Sequence, residues 1–231
     1  MATPGVNPPA RRRGPTRSLD LTRVVYAALE VLDHGGPHAL GIRSVAARLG
    51  VRPNALYTYV ADKAALERAV VEYVLSLADV AVLTAEALTW RERIIEYALG
   101  LRATMHAHPG AASLLMSAPM DGPTALTVGE LLMAALVDGG LTQDDAARGT
   151  YTIIVAVIGA VALDVAEIAG PAIPPEDLWV AARQEALQAV PHEALPRTSA
   201  TVPVIAAWVG EAQFRWSLDV VLDGLAARAS A

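Results

Sequence analysis

Apolar residues recur at three- and four-residue spacing along almost the whole chain, and where that rhythm fails a Gly or Pro break stands in its place. Leu21, Val24, Val25, Ala28, Leu29 and Leu32 open the series, and Gly35-Gly36-Pro37 closes its first run. No stretch shows the strict alternation of a half-buried strand, so the expected fold class is all-α. The vocabulary agrees. Hydrophobic residues make up 54% of the chain, yet only one is Phe, and a core built from Ala, Leu and Val favours packed helices over sheets. With 18% of residues charged, disorder is excluded for most of the length.

The breaks divide the chain into elements. A first helix is expected from about Asp20 to His34, and a second from Ile42 to Leu49 that ends at Gly50. A third, very short one starts at Pro53, a residue suited to the first helical position because its missing N–H would go unpaired there. Asp62 caps a fourth helix with Ala65, Leu66, Ala69, Val70 and Val74 on one face. Thr89 caps another that runs to about His106, a short piece covers Ala111 to Ser117, and helices follow near 124–138, 143–168, 175–189 and 202–228. Residues 1–17 hold four Pro and four Arg with no apolar period, a disordered basic arm. The expected organisation is that arm, a helix-turn-helix unit over 18–66 and a larger helical unit over 67–231.

Composition removes several functions. Without Cys there is no disulfide, thiolate metal site or thiol nucleophile. His106 and His108 stand two apart and diverge on a helix, so no zinc site is expected. No Gly-x-Ser-x-Gly, phosphate loop or HExxH occurs, which argues against an enzyme, and no cofactor is implied. The N-terminus lacks a secretory apolar region, and the run Tyr151–Leu163 falls short of the roughly 20 residues a bilayer needs. A cytoplasmic protein without a membrane partner is expected. Charge is asymmetric: residues 1–68 hold ten Lys/Arg against five Asp/Glu, whereas the remainder holds eight against nineteen. A basic head on an acidic body points to a polyanion met by the head alone, with a merely basic tail as the alternative.

One stretch carries function. In Gly41-Ile-Arg-Ser-Val-Ala-Ala-Arg-Leu-Gly50-Val-Arg-Pro-Asn-Ala-Leu-Tyr-Thr-Tyr59-Val-Ala-Asp-Lys63, two short helices meet at Gly50. Gly supplies the left-handed turn, and Ala46 and Val51 are small enough for the helices to cross closely. The outward residues of the second are Arg52, Asn54, Tyr57, Thr58 and Tyr59, a face of donors and acceptors that a core would not tolerate. From Leu21 to Val74 the order helix, Gly-Gly-Pro break, "RSVAARLGV", "ALYTYV" and "DKAAL" resembles the tetracycline-repressor (TetR) family.

The resemblance implies roles position by position. Arg43 would reach a base edge, Pro53, Asn54 and Ala55 would lie against bases, and Asn54 suits adenine. Tyr57, Thr58 and Tyr59 would contact phosphate and sugar, with interhelical packing as the alternative for the two tyrosines. Lys63 and Thr22 would meet phosphates, and Arg52 would touch backbone or base. Arg48 is expected to face solvent or pair locally, while Arg11, Arg12, Arg13 and Arg17 would follow the DNA or form a plain solvated tail.

For the body, the resemblance implies a homodimer and a small-molecule effector site. The stretch "FRWSLDVVLDGL" resembles the last helix of tetracycline-type repressors, which forms half of a four-helix dimer interface. Two helices are therefore interface candidates, Thr150–Ile168 with Ile154, Val157, Ile158, Val161 and Val165, and Pro203–Arg228 with Ala207, Phe214, Leu218, Val221, Leu222 and Leu225; monomer core is the alternative. Effector-lining candidates are Tyr97, Leu101, Met105, Met116, Met133, Tyr151, Asp164 and Trp179, with His106 in a wider set. For each of these, ordinary core is the alternative. Leu115 falls where the name-giving repressor has its metal-binding His, so a magnesium–tetracycline chelate is not expected. The function implied is a one-component regulator that represses from palindromic double-stranded operator DNA and is released by its effector; an activator or a helical enzyme is the alternative.

Overall fold

The computed structural model describes residues 19–168 and 172–229, all of it helix, turn and loop with no strand among them. The arm over 1–17, with its four arginines, lies outside the described residues.

Helix α1 (Leu21–Gly35) starts where the Asp20 carboxylate accepts the Arg23 amide at 2.8 Å, a cap worth about 1 kcal/mol. Helix α2 (Ile42–Leu49) ends at Gly50, whose φ of 68° and ψ of 29° place it in the left-handed region. There a side chain would strain the backbone. The third element is a 3-10 helix, Pro53–Thr58, rather than an α-helix. It has only Leu56 buried to anchor it, and so few residues fit between Pro53 and the next cap that i→i+3 bonds close it, Tyr59 N–H to the Leu56 carbonyl at 2.8 Å. Helix α3 (Lys63–Leu77) is capped by Asp62, which accepts the Ala65 amide at 2.7 Å.

The body adds α4 (Trp90–Ala107), α5 (Pro109–Ser117), α6 (Pro123–Asp138), α7 (Gln143–Ala166), α8 (Glu176–Leu187), α9 (Pro196–Ala200), α10 (Val202–Ala206) and α11 (Glu211–Ala229). Thr89 and Glu92 close a reciprocal capping box at α4. The final helix expected over 202–228 is broken in two. A 3-10 turn, Ala207–Val209, and Gly210 intervene, because Glu176 of α8 reaches across to accept the Glu211 amide at 2.9 Å. A Cβ on Gly210 would sit 2.7 Å from that carboxylate. The same device recurs at α6. Glu72 of α3 accepts the Thr124 and Ala125 amides at 2.7 and 3.2 Å, and a Cβ on Gly122 would lie 2.3 Å from the Glu72 carboxyl carbon. A carboxylate borrowed from another helix thus satisfies each orphan N-terminus.

Helix α7, 24 residues long, extends the Tyr151–Leu163 run at both ends and is long and apolar enough to cross a membrane by length and composition. Here it is the central strut of the body, packed on α4, α5, α6 and α11. Head and body are not separate balls. The expected boundary between 66 and 67 falls inside α3, and α5 packs on α1 so closely that a Cβ on Gly110 would lie 2.3 Å from the Leu32 carbonyl oxygen. His108, between α4 and α5, adds a hydrogen bond to the Asp33 carboxylate at 2.8 Å.

Candidate nucleic-acid interface and ligand cavity

The head buries Val24, Val25, Ala28, Leu29, Leu32, Val45, Ala46, Leu56 and Leu66, and these fix α1, α2 and the 3-10 helix against one another. What remains outward is polar. Thr22, Arg43, Arg52, Pro53, Asn54, Tyr57, Thr58 and Lys63 are exposed, and Ala55 is half-buried. Tyr57 is 54% exposed and has no packing role comparable to that of Leu56 on the same short helix. Tyr59 differs. It is half-buried, packs on the core and donates its hydroxyl to the Leu19 carbonyl, so the packing alternative describes it. Lys63 pairs loosely with Glu67 at 3.4 Å, an exposed i,i+4 pair that leaves it free to meet an anion. Arg48 is held by Glu30 of α1 through two bonds at 2.9 and 3.0 Å. Its pairing is local to the head, though across helices.

In the body, α3, α4, α6 and α7 surround a cavity of about 580 Å³, its open mouth included. Helix α3 contributes Leu75; α4 contributes Tyr97, Ala98 and Leu101; α6 contributes Ala125, Val128 and Leu132; α7 contributes Ile153, Ile154, Val157 and Ile158. Met120, from the loop before α6, completes the wall and is the one exposed lining residue, which marks the mouth. The Tyr97 hydroxyl is buried without a hydrogen-bond partner among the described residues, and burial pushes its pKa far above the ordinary phenol value.

Of the effector candidates, the structure brings only Tyr97 and Leu101 to this cavity. Met105, one turn further, is fully buried in core. Met116 and Tyr151 point outward, 64% and 71% exposed. Met133 lies in a separate surface cleft with Glu130 and Asp138, because α6 turns its other face to the cavity. Trp179 is buried on α8, in the part of the body where α8 packs on α10. Asp164 is not a cavity acid. It accepts from Arg102 at 3.2 Å and from His106 Nε2 at 3.0 Å, while Arg102 also donates to the Val209 carbonyl at 2.6 Å and lies over the Phe214 ring. A charge so buried needs such partners, and that requirement keeps Asp164 and His106 out of the cavity wall. Leu115 is core, 2% exposed. Among the described residues no His/Asp/Glu group could hold a metal.

Sequence reasoning missed most of the wall. Ile154, Val157 and Ile158 were interface candidates by the same helical period; Val157 and Ile158 are buried and all three line the cavity. Val161, Phe214, Leu218, Leu222 and Leu225 are likewise buried inside the protomer, and Val165 and Val221 pack half-buried against them. The outward apolar residues of these helices are instead Tyr151, Val155 and Leu163 on α7 and Trp216 and Val220 on α11, with Trp208 in the preceding turn. Only Gly159 and Gly224 hinted at this face. A Cβ on either would meet nothing, so the chain's own packing among the described residues does not require them.

Comparison with known proteins agrees with this geometry. The family described as "Bacterial regulatory proteins, tetR family" matches residues 24–70, and "Tetracyclin repressor-like, C-terminal domain" matches residues 84–229. An HTH-type transcriptional regulator of Saccharopolyspora erythraea is 33% identical over 62% of this chain, a stretch that spans 59% of that relative's length. The crystal structure of a possible TetR family regulator from Streptomyces coelicolor A3(2) superposes with a TM-score of 0.76 at 30% identity, over 90% of this chain and 99% of that one. The Streptomyces coelicolor TetR family protein ActR, solved in complex with actinorhodin, gives a TM-score of 0.76 at 25% identity over 93% of this chain and all of that one. An exposed polar helix-turn-helix face joined to an all-helical body, matched by both family models, identifies the chain as a member of the TetR family of bacterial regulatory proteins.

Proposed function

We propose that this protein is a cytoplasmic repressor that binds palindromic operator DNA as a homodimer and lets go when a small molecule enters the cavity between α3, α4, α6 and α7. The observation that carries this is the course of α3. It begins in the head at Lys63, beside the exposed face, and reaches Leu75 in the cavity wall, about 18 Å along one rigid helix. A ligand that moves Leu75 therefore moves the head.

In this reading Arg43, Pro53, Asn54 and Ala55 read base edges in the major groove, and Thr22, Arg52, Tyr57, Thr58 and Lys63 hold the backbone. Tyr59 serves by fixing the start of α1 through Leu19. The boundaries 18–66 and 67–231 then mark the reading and sensing parts, joined by α3, with the basic arm 1–17 ahead of them. Glu72 strengthens the linkage. It ties α3 to the first amides of α6, and Ala125, whose amide donates one of those bonds, also lines the cavity. Ligand needs only a few kcal/mol of preference for the displaced state to shift the population. The dimer forms through the outward stripe of α7 and α11, where Leu163 and Trp216 are 72% and 62% exposed and Gly159 and Gly224 let a partner helix approach. ActR was solved with actinorhodin bound, which supports a small-molecule effector for the same fold.

The test is fluorescence anisotropy of the purified protein on DNA flanking its own gene and on a site selected from random sequence, beside Tyr57→Ala and Lys63→Ala. One sequence is expected to win over competitor, with a stoichiometry of two chains per site, and both variants to weaken it. Equal binding by wild type and variants would sink the reading.

A further inference from the structure

Resting on the cavity as the effector site, we propose that its ligand is an uncharged, mostly hydrocarbon molecule that presents one oxygen acceptor, such as a carbonyl, to the Tyr97 hydroxyl. Among the described residues no charged side chain lines the cavity, and Tyr97 is the only lining residue whose side chain carries an O–H or N–H. That hydroxyl is buried and finds no partner among the described residues. Burying a donor without an acceptor is unfavourable, and a ligand oxygen that meets it recovers the loss at the moment of binding. An ionised ligand would lose its hydration with no counter-ion in the wall to replace it. The charged cluster of Arg102, Asp164 and His106 does not line the cavity, and its charges are paired with one another. Burial also keeps the Tyr97 phenol protonated at any physiological pH, so it remains a donor. The selectivity is one of presence or absence of a single acceptor, the kind that a buried polar group enforces well.

Three probes of one shape test this on the full-length protein: benzophenone, diphenylmethane, which lacks the carbonyl, and 4-benzoylbenzoate, which adds a charge. Affinities come from equilibrium dialysis, and irradiation of the benzophenone complex with peptide mass analysis locates it. Benzophenone is expected to bind saturably and to cross-link to peptides from α4, α6 or α7. Diphenylmethane should bind about tenfold more weakly, and 4-benzoylbenzoate at least as weakly as that. In Tyr97→Phe the ketone should lose its advantage while diphenylmethane binds as before, which also shows that the cavity is intact. Equal affinity for ketone and hydrocarbon, or tight binding of 4-benzoylbenzoate, with cross-links still in the cavity, overturns the ligand class and leaves the cavity as effector site. Cross-links elsewhere, or no binding by any probe, overturn both.

Discussion

Arg43, Arg52, Asn54, Tyr57 and Thr58 come from one short stretch, and all are exposed. The cavity wall comes from four helices and a loop, between Leu75 and Ile158, and nearly all of it is buried. In the head the polar face lies outside the core, so an exposed residue there can change with little cost to the fold. In the body the cavity wall is part of the core, and a change of lining residue is also a change of packing. The difference separates what can be altered independently from what cannot.

The strongest way to break that separation is at the seam between the two regions. Gly110→Val would drive side-chain atoms into the Leu32 backbone and is expected to destabilise the chain by about 3 kcal/mol in urea unfolding. An unchanged midpoint would mean that head and body do not share a packed seam.

Asn54→Ala and Tyr57→Ala sharpen the contrast from the other side. Each should weaken operator binding by about 1–3 kcal/mol in anisotropy titrations, yet leave stability within about 0.5 kcal/mol of wild type. A large loss of stability in either would place it in the fold rather than on the DNA.

Tyr97→Phe carries the opposite sign. Removing a buried, unpartnered hydroxyl from an otherwise unchanged ring should raise the stability of the ligand-free protein by about 1 kcal/mol, read from chemical denaturation. Destabilisation instead would reveal a partner for that oxygen and end its role as a waiting donor.

The smallest expected effect is the acid response of the α4 cap. Glu92 accepts from the Thr89 amide and hydroxyl, both at 2.8 Å, and the backbone bond above all holds its pKa below the ordinary 4.5. Because the folded value is the lower one, the cap's contribution is present at neutral pH and is lost as pH falls through that lowered value. Glu92→Gln should flatten this part of the acid limb in thermal melts taken from neutral pH to well below 4.5. An identical pH profile for the variant would show that the cap is silent.

Much of the molecule was legible because it is local. Asp20, Asp62 and Thr89 cap the helices expected of them, Gly50 turns where a turn was needed, and Arg52, Asn54, Tyr57 and Thr58 are outward as expected, whereas Tyr59 packs inward. Periodicity also placed Gln143–Ala166 as one long helix. It could not say which of that helix's apolar faces meets what, because Ile154, Val157 and Ile158 on one side and Tyr151, Val155 and Leu163 on another share the same spacing rules. Met105, Met133 and Trp179 are the sort of residue that lines pockets, and here they fill core or a separate surface cleft.

By itself, then, the amino-acid sequence determined the all-α class, the order and caps of its main helices and the exposed polar face of the helix-turn-helix, since each depends on neighbours within a few positions. Tertiary structure alone decided the cavity, the pairing of Asp164 with Arg102 and His106, the borrowed caps from Glu72 and Glu176, and the Gly110 seam. These depend on how helices cross. Crossing is set by the mutual fit of whole faces from distant parts of the chain, which no local pattern encodes.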